Sequence, residues 1–261
     1  MGILNVTPDS FSDGGAFYDP DSALVHARHM IAEGADLIDV GGESTRPGAE
    51  PVPALEQIRR VIPVIQALRA ESDALISIDT ADAMVAEAAL HAGADIINDV
   101  TGLRGDPRMS SLAAESGAGI VLMHMQGTPR TMQQSPAYGD VVTEVGDFFR
   151  QSLDRALASG IDPMSVALDP GIGFGKSAEH NRLLLANTAL LASIGRPLVI
   201  GVSRKSFLST IAGSKNPAER FWPGVALTAL CRRLGAHIFR VHDVKPHWEA
   251  LRMTEAISQS V

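Results

Sequence analysis

The chain has 261 residues, of which 45% are hydrophobic and 20% are charged, and its formal net charge is -8. This composition is ordinary for a globular protein with a large core, so extensive disorder is excluded. The acidic balance argues against a general nucleic-acid-binding protein, because neutralising phosphates requires a basic stripe that this sequence lacks.

The cysteine content and the apolar runs indicate the cellular compartment of the protein. The single cysteine, Cys231, excludes an intrachain disulfide and favours a reducing compartment. It lies in an apolar stretch, and we interpret it as a small buried residue. The first fifteen residues contain two aspartates and no lysine or arginine, unlike a secretory signal. No apolar run approaches the roughly 18 to 20 residues of a membrane helix. We therefore expect a soluble cytoplasmic protein.

Short apolar runs alternate with helical patterns along the whole chain, which predicts repeated strand-helix units. The eight predicted strands cover residues 2–5, 37–40, 75–79, 96–99, 119–123, 166–169, 198–201 and 238–241. Helices are predicted from residue 21 or 22 to 33 and over residues 81–91 and 107–115. Each of these helices is followed by a glycine that can take a positive φ and turn the chain into the next strand.

Eight such units predict one α/β domain, a (β/α)8 TIM barrel over residues 1–261. A barrel of this kind commonly takes about 250 residues, and nothing in the sequence resembles a linker. An open doubly wound sheet would also alternate strands and helices, but it usually has fewer strands and a nucleotide-binding loop after the first. In the closed barrel, which we favour, the ends of all strands share one rim, where the chemistry is found.

Reactive polar residues end most of the predicted strands. They are Asn5, Asp79, Asn98 and Asp169, with Arg240 and His242 flanking Val241 in the last strand. Three of them, Asp79, Asn98 and Asp169, have short polar side chains that would form an array of donors and acceptors if they converged on one cavity. Buried carboxylates without partners are costly, so such an array would require a bound group. A flat heterocycle rich in ring N–H and amino groups would satisfy such an array.

The remaining rim residues suggest sites for anions and for a cation. Asn5 could offer its carbonyl oxygen to Mg²⁺, which keeps several waters and shares oxygens with a bound phosphate group. Arg240 and His242 point to the same side of their strand and could bind that anion. The other histidines lack the spacing of metal ligands, so a zinc site is not expected.

Three long rim loops, residues 7–19, 41–53 and 126–139, are expected to act as lids or substrate clamps. In the second of them, Thr45 and Arg46 lie among glycines, where arginine suits a bidentate contact to phosphate or carboxylate, with a surface salt bridge as the alternative. Residues 169–177 are glycine-rich but carry Pro170 where a phosphate-binding loop needs its first glycine. After the seventh strand, Lys205 can reach back over the mouth, and Ser206 with the following N–H groups could bind a carboxylate.

Eight segments spread over nearly the whole chain carry a family resemblance: GILNVTPDSFSDGG, DVGGESTRPGA, SIDT, IINDV, LMHMQGTP, LDPGIGFGK, GVSRKSF and RVHDV. With these segments the chain resembles the dihydropteroate synthases, transferases of the folate pathway. The resemblance implies a Mg²⁺-assisted condensation of (7,8-dihydropterin-6-yl)methyl diphosphate with 4-aminobenzoate to 7,8-dihydropteroate and diphosphate.

The resemblance also implies a role for each candidate residue. The pterin would be held by Asp79, Asn98, Asp169 and Lys205, the diphosphate by Thr45, Arg46, Arg240 and His242, and the metal by Asn5, while Phe11, Pro47, Lys205 and Ser206 would shape the aminobenzoate pocket. The catalytic candidates are Lys205, Arg240, His242 and Asp79. No protein nucleophile is needed, because an electron-rich dihydropterin can support a cationic methylene when diphosphate leaves.

Family members usually carry a further N-terminal hairpin that closes the bottom of the barrel. This sequence starts at Met1 directly before its first strand, so either the true start lies upstream or the hairpin is missing, which would affect stability more than chemistry. The resemblance suggests a homodimer through the later helices. The apolar segment 225–234 is equally compatible with a dimer and with barrel packing.

Two other classes of function remain open at this point. A pterin-binding methyltransferase would use a similar barrel and similar pterin contacts, but it would not need the clamps around Thr45 and Lys205. A non-catalytic pterin-binding paralogue would keep the same motifs. Binding of the pterin diphosphate without product formation would distinguish it.

Overall fold

A computed structural model of the chain describes residues 1–7, 20–44, 49–213, 216 and 220–258. Within these ranges the strands are β1 (Gly2–Asn5), β2 (Leu37–Gly41), β3 (Leu75–Asp79), β4 (Ile96–Asp99), β5 (Gly119–Met123), β6 (Val166–Asp169), β7 (Val199–Ile200) and β8 (Ile238–Phe239). The helices are α1 (Pro20–Ala32), α2 (Ala54–Glu71), α3 (Ala83–His91), α4 (Met109–Ser116), α5 (Val141–Ala158), α6 (Ala178–Ala186), α7 (Thr188–Ala192), α8 (Phe207–Ala212), α9 (Phe221–Arg233) and α10 (Val244–Ser258), with a 3₁₀ turn over Pro163–Ser165.

The strands close into a parallel barrel. β1 to β6 form one sheet in chain order, and β7 pairs with β8 in parallel. A bridge between Leu168 and Leu198 joins the two sheets, and a second bridge between Gly2 and Val241 closes the ring. There the Ile3 N–H donates to the Val241 carbonyl over 2.9 Å. This closure confirms the predicted TIM barrel.

The last two strands are shorter than predicted, because their ladder stops near the rim. The N–H of Arg240 still donates to the carbonyl of Ile200 at 3.0 Å. Two residues further on, the N–H of His242 donates to the side-chain oxygen of Ser203 at 3.2 Å instead. A side chain therefore replaces the backbone partner one residue beyond Val241, where the predicted strand ends.

Two of the predicted helices begin later than the sequence pattern indicates. α3 begins at Ala83 rather than at residue 81, because Asp82 caps it by accepting from the N–H groups of Met84 and Val85. α4 begins at Met109 rather than at residue 107 and ends at Ser116 before Gly117, which has a φ of +66°. α1 begins one or two residues earlier than predicted, at Pro20, and ends one residue earlier, at Ala32.

Side chains alternate along the strands between an outer and an inner layer. The outer layer packs strands against helices and includes the fully buried Ile38, Ile76 and Ile97. The inner layer has an apolar plug around Val121, Ala167 and Val199. In TIM barrels the interior is packed with side chains in this way, and function is left to the rim.

The environment of Cys231 and the lengths of the helices bear on two predictions made from the sequence. Cys231 is a buried free thiol in the outer core, which confirms its interpretation. Among the described residues, no helix combines the length and the apolar character required to cross a membrane.

Candidate active site

A cavity of about 1660 Å³ opens at the carboxyl ends of the strands. Eight of the predicted site residues line it together: Asn5, Asp79, Asn98, Asp169, Lys205, Ser206, Arg240 and His242. The other four, Phe11, Thr45, Arg46 and Pro47, lie outside the described residues. The structure thus brings residues from six different strand ends to one mouth.

A buried ion-pair network crosses the floor of this cavity. The Nε of Arg240 donates to Asp39 at 2.6 Å, and its Nη2 donates to Asp79 at 2.7 Å. Asn98 Nδ2 donates to Asp39 at 3.2 Å. Burial alone would lower the pKa of Arg240, but the carboxylates of Asp39 and Asp79 outweigh it and raise that pKa above its ordinary value. The guanidinium is therefore a permanent cation at the floor of the site.

Asp79 keeps one carboxylate oxygen for a ligand. Its Oδ1 is buried and has no hydrogen-bond partner among the described residues. Burial raises the pKa of Asp79 to about 7, against the opposing effect of Arg240. A buried oxygen without a partner costs about 1–3 kcal/mol, so this atom favours a bound group that donates a hydrogen bond.

Asp169 is held at the mouth by the glycine turn that follows β6. Its Oδ1 accepts from the N–H of Gly171 at 2.7 Å, and burial raises its pKa although that N–H and Lys205 oppose the shift. Gly171 has a φ of +63°, and a Cβ there would stand 1.9 Å from the carbonyl oxygen of His124. Only glycine fits this turn, which explains why a glycine follows Pro170 in the motif.

Lys205 reaches back over the mouth as the sequence predicted. Its ammonium lies 4.2 Å from the ring centroid of Phe174, a cation–π contact. Burial lowers the pKa of Lys205 to about 8, and Arg240 acts in the same direction. The close approach depends on Gly173, where a Cβ would stand 3.2 Å from Cδ of the lysine.

The sequence analysis missed three buried polar residues of the site: Asp39, Lys176 and Ser203. Asp39 lies in the middle of β2, and the signal that could have found it is a carboxylate in an otherwise apolar strand. Lys176 belongs to the glycine-rich stretch, and its Nζ lies 2.9 Å from Nδ1 of His124 and 3.0 Å from the carbonyl of Phe174. Nothing local in the sequence distinguishes this lysine from an exposed one.

Lys176 provides a pH-dependent test of the site's packing. Burial lowers its pKa to about 7 in the folded protein, so between pH 7 and its ordinary pKa of 10.5 the unfolded chain binds more protons than the folded one. The native protein therefore gains stability from this residue as the pH rises through that range, by at most about 1.4 kcal/mol per pH unit.

Lys176→Met removes this gain. We expect the melting temperature of the variant, relative to the native protein, to be higher at pH 6.5 than at pH 9.5. The same substitution at the exposed Lys245 is the matched control and should give a difference that does not change with pH. If the difference in melting temperature between Lys176→Met and the native protein is also independent of pH, the assigned burial of the Lys176 ammonium is wrong.

Together, a closed parallel barrel and a mouth lined by buried carboxylates, an amide and cations define an enzyme that binds a polar heterocycle and an anion. The chain matches the family described as pterin binding enzyme over residues 1–242. It is 48% identical over 259 residues to the dihydropteroate synthase of Synechocystis, covering 98% of this chain and 89% of that protein.

Solved structures agree with this assignment. The dihydropteroate synthase of Xanthomonas albilineans with 4-aminobenzoic acid superposes with a TM-score of 0.93 at 44% identity, covering 100% of this chain and 92% of that one. The same enzyme in complex with 7,8-dihydropteroate gives a TM-score of 0.89 at 41% identity over 100% and 93% of the two chains. The chain belongs to the pterin-binding enzymes and, within them, to the dihydropteroate synthase family. Its activity is that of a transferase of folate biosynthesis.

Proposed function

We propose that the mouth of the barrel condenses (7,8-dihydropterin-6-yl)methyl diphosphate with 4-aminobenzoate, and that it does so without a protein nucleophile. The observation that carries this proposal is the acceptor-rich floor with an unpartnered Asp79 oxygen. A pterin ring offers amino and ring N–H donors in one plane, which Asp79, Asn98 and Asp169 can accept from different strand ends. These contacts fix the ring and place its methylene towards the rim.

The diphosphate would be held by the basic groups above this floor. Arg240 uses two of its five N–H donors on Asp39 and Asp79, so three donors are left for an anion. Burial lowers the pKa of His242 to about 4, so at neutral pH its ring is an uncharged hydrogen-bond donor. Thr45 and Arg46 are proposed to add contacts from the second loop.

A magnesium ion fits the donor set at the end of β1. Asn5 lines the cavity, and its Oδ1 lies 3.8 Å from the position of a Cβ on Gly41. The described residues contain no group of three histidine, cysteine or acidic side chains that could bind a metal by themselves. A single amide oxygen suits Mg²⁺, which is commonly completed by waters and substrate phosphates. When bound, it would neutralise charge on the departing diphosphate.

The reaction breaks the bond between the methylene carbon and the diphosphate oxygen and forms a bond from that carbon to the arylamine nitrogen, which loses one proton. Asp79 and Asp169 stabilise positive charge on the pterin, while Arg240 and His242 stabilise negative charge on the leaving group. Lys205 and Ser206, with Phe11 and Pro47, are proposed to hold the aminobenzoate in line. Exclusion of water from the mouth would keep water from capturing the cation.

Product analysis tests this function. Purified protein given the pterin diphosphate, Mg²⁺ and 4-aminobenzoate should form 7,8-dihydropteroate and diphosphate in equal amounts. Folded protein that binds the pterin diphosphate but forms no product would support the non-catalytic paralogue instead.

Asn5→Ala is expected to raise the Mg²⁺ concentration for half-maximal rate by about 10-fold or more, because the proposed protein ligand is lost. Asn5→Asp keeps an oxygen at the same position and should retain most of the metal affinity. Titrating the initial rate with Mg²⁺ measures both. An unchanged requirement in Asn5→Ala would remove this residue from the metal site.

We propose further that the protein acts in the cytoplasm as a homodimer. A free buried thiol suits a reducing compartment. α9 and α10 expose large apolar side chains, including Trp222, Leu230 and Met253, which would suit an interface between copies. Sedimentation of the purified protein tests the assembly.

A further inference from the structure

Two neighbouring strand ends are linked by a serine and a histidine. Ser203 follows β7 and is 4% exposed, and His242 follows β8 and lines the cavity. The Ser203 hydroxyl oxygen accepts from the backbone N–H of His242 at 3.2 Å and lies 3.2 Å from its ring Nδ1. The hydroxyl therefore contacts both the backbone and the ring of one residue.

The backbone contact has a fixed direction, because the N–H of His242 can only donate and the Ser203 oxygen accepts from it. The hydroxyl still has its own proton, which it can donate to Nδ1 of His242, and a second lone pair, which could instead accept from a protonated Nδ1. Burial, reinforced by Arg204 and Arg240, keeps the pKa of His242 well below neutrality, so the ring carries a single proton, on either Nδ1 or Nε2.

An ion pair holds these two residues together. Arg204, next to Ser203, has a φ of +58°, an uncommon conformation for a residue other than glycine. Its guanidinium Nε donates at 2.9 Å to Asp243, the neighbour of His242. The two loops are thus joined twice, by this ion pair and by the contacts of Ser203 with His242.

We propose that Ser203 is a positioning residue that fixes the Nε2–H tautomer of His242 and so presents a hydrogen-bond donor to the leaving diphosphate. The other tautomer would present a lone pair to an anion, which is repulsive. The second half of this inference rests on the proposed function, because it requires the diphosphate to bind beside His242. The tautomer itself does not depend on any ligand.

Nitrogen-15 NMR of histidine-labelled, ligand-free protein at pH 7.5 tests the tautomer directly. We expect His242 of the native protein to carry its proton on Nε2, and Ser203→Ala to give a mixture of both tautomers. Ser203→Thr keeps the hydroxyl and should restore the native spectrum. A native His242 protonated on Nδ1, or a Ser203→Ala spectrum identical to the native one, would overturn the proposal.

Kinetics separate this role from a structural one. Ser203→Ala is expected to lower kcat by about 10-fold, the loss of roughly one hydrogen bond to a charged group, with an unchanged KM for 4-aminobenzoate. Ser193→Ala, which removes an exposed hydroxyl directly after α7, is the matched control and should leave kcat unchanged. If the native protein forms no product but shows the Nε2–H tautomer, the proposed function fails while the Ser203 contact stands. Full activity of a Ser203→Ala variant with mixed tautomers would refute the positioning role.

Discussion

Lys205→Ala is expected to lower kcat/KM by about 100- to 1000-fold, the range observed when one pre-organised charge-stabilising donor is removed from an active site. Lys205 is a partly buried cation whose ammonium lies 4.2 Å from the ring centroid of Phe174, where the two substrates are proposed to meet. Alanine leaves both the pterin and the arylamine without this contact. The loss should appear mainly in kcat if the contact strengthens as the reaction proceeds.

The matched control for this variant is Lys245→Ala, the same substitution at an exposed position of α10. Its kinetics should equal those of the native protein. Circular dichroism and melting curves of Lys205→Ala should stay close to native, because Lys205 forms no salt bridge with another described residue and its removal relieves a desolvation cost. A near-native rate in a folded Lys205→Ala protein would remove this residue from the mechanism.

Arg240→Met is expected to lower the free energy of unfolding by about 3–5 kcal/mol and to abolish product formation. Removing one partner of a buried ion pair leaves uncompensated charge, and Arg240 is the common partner of Asp39 and Asp79. The loss should be smaller at pH 5 than at pH 8, because burial has already raised the pKa of Asp79 to about 7 and protonation removes the unpaired charge. Chemical denaturation at both pH values measures this difference.

A second substitution distinguishes the two roles of Arg240. Arg240→Met combined with Asp39→Asn should regain part of the lost stability, since fewer buried charges lack a partner, while product formation stays absent. Arg28→Met breaks an exposed ion pair with Glu71 and serves as the control, with no resolvable change in stability. Equal losses of stability in Arg28→Met and Arg240→Met would contradict the buried network.

The sequence was sufficient for the barrel and for most of its rim. Asp79, Asn98 and Asp169 each end an apolar run, and the strand ends of a parallel barrel share one rim. The order of residues in the sequence was therefore enough to predict that these side chains lie close together. The functional family could be predicted because eight motifs occur on a single chain, which the comparisons with known proteins confirm.

The contacts inside the site could not be predicted in the same way. Arg240 and Asp39 are 201 residues apart, and only the closure of the barrel brings them to 2.6 Å. Lys176 is buried because the turn after β6 folds against His124, a tertiary arrangement without local signal. The contact of His242 with the Ser203 hydroxyl joins two strand ends, and residue patterns within β8 do not indicate it.

In the proposed reaction, diphosphate departs before the arylamine bonds to carbon, and the rim charges stabilise both fragments. A single-turnover experiment with substrate deuterated at the reacting methylene tests this order, because chemistry is then observed without product release. We predict a normal secondary isotope effect clearly above unity, since the methylene carbon becomes planar and cationic in the transition state. An effect of unity in the same experiment would indicate direct displacement by the amine and would contradict a cationic intermediate.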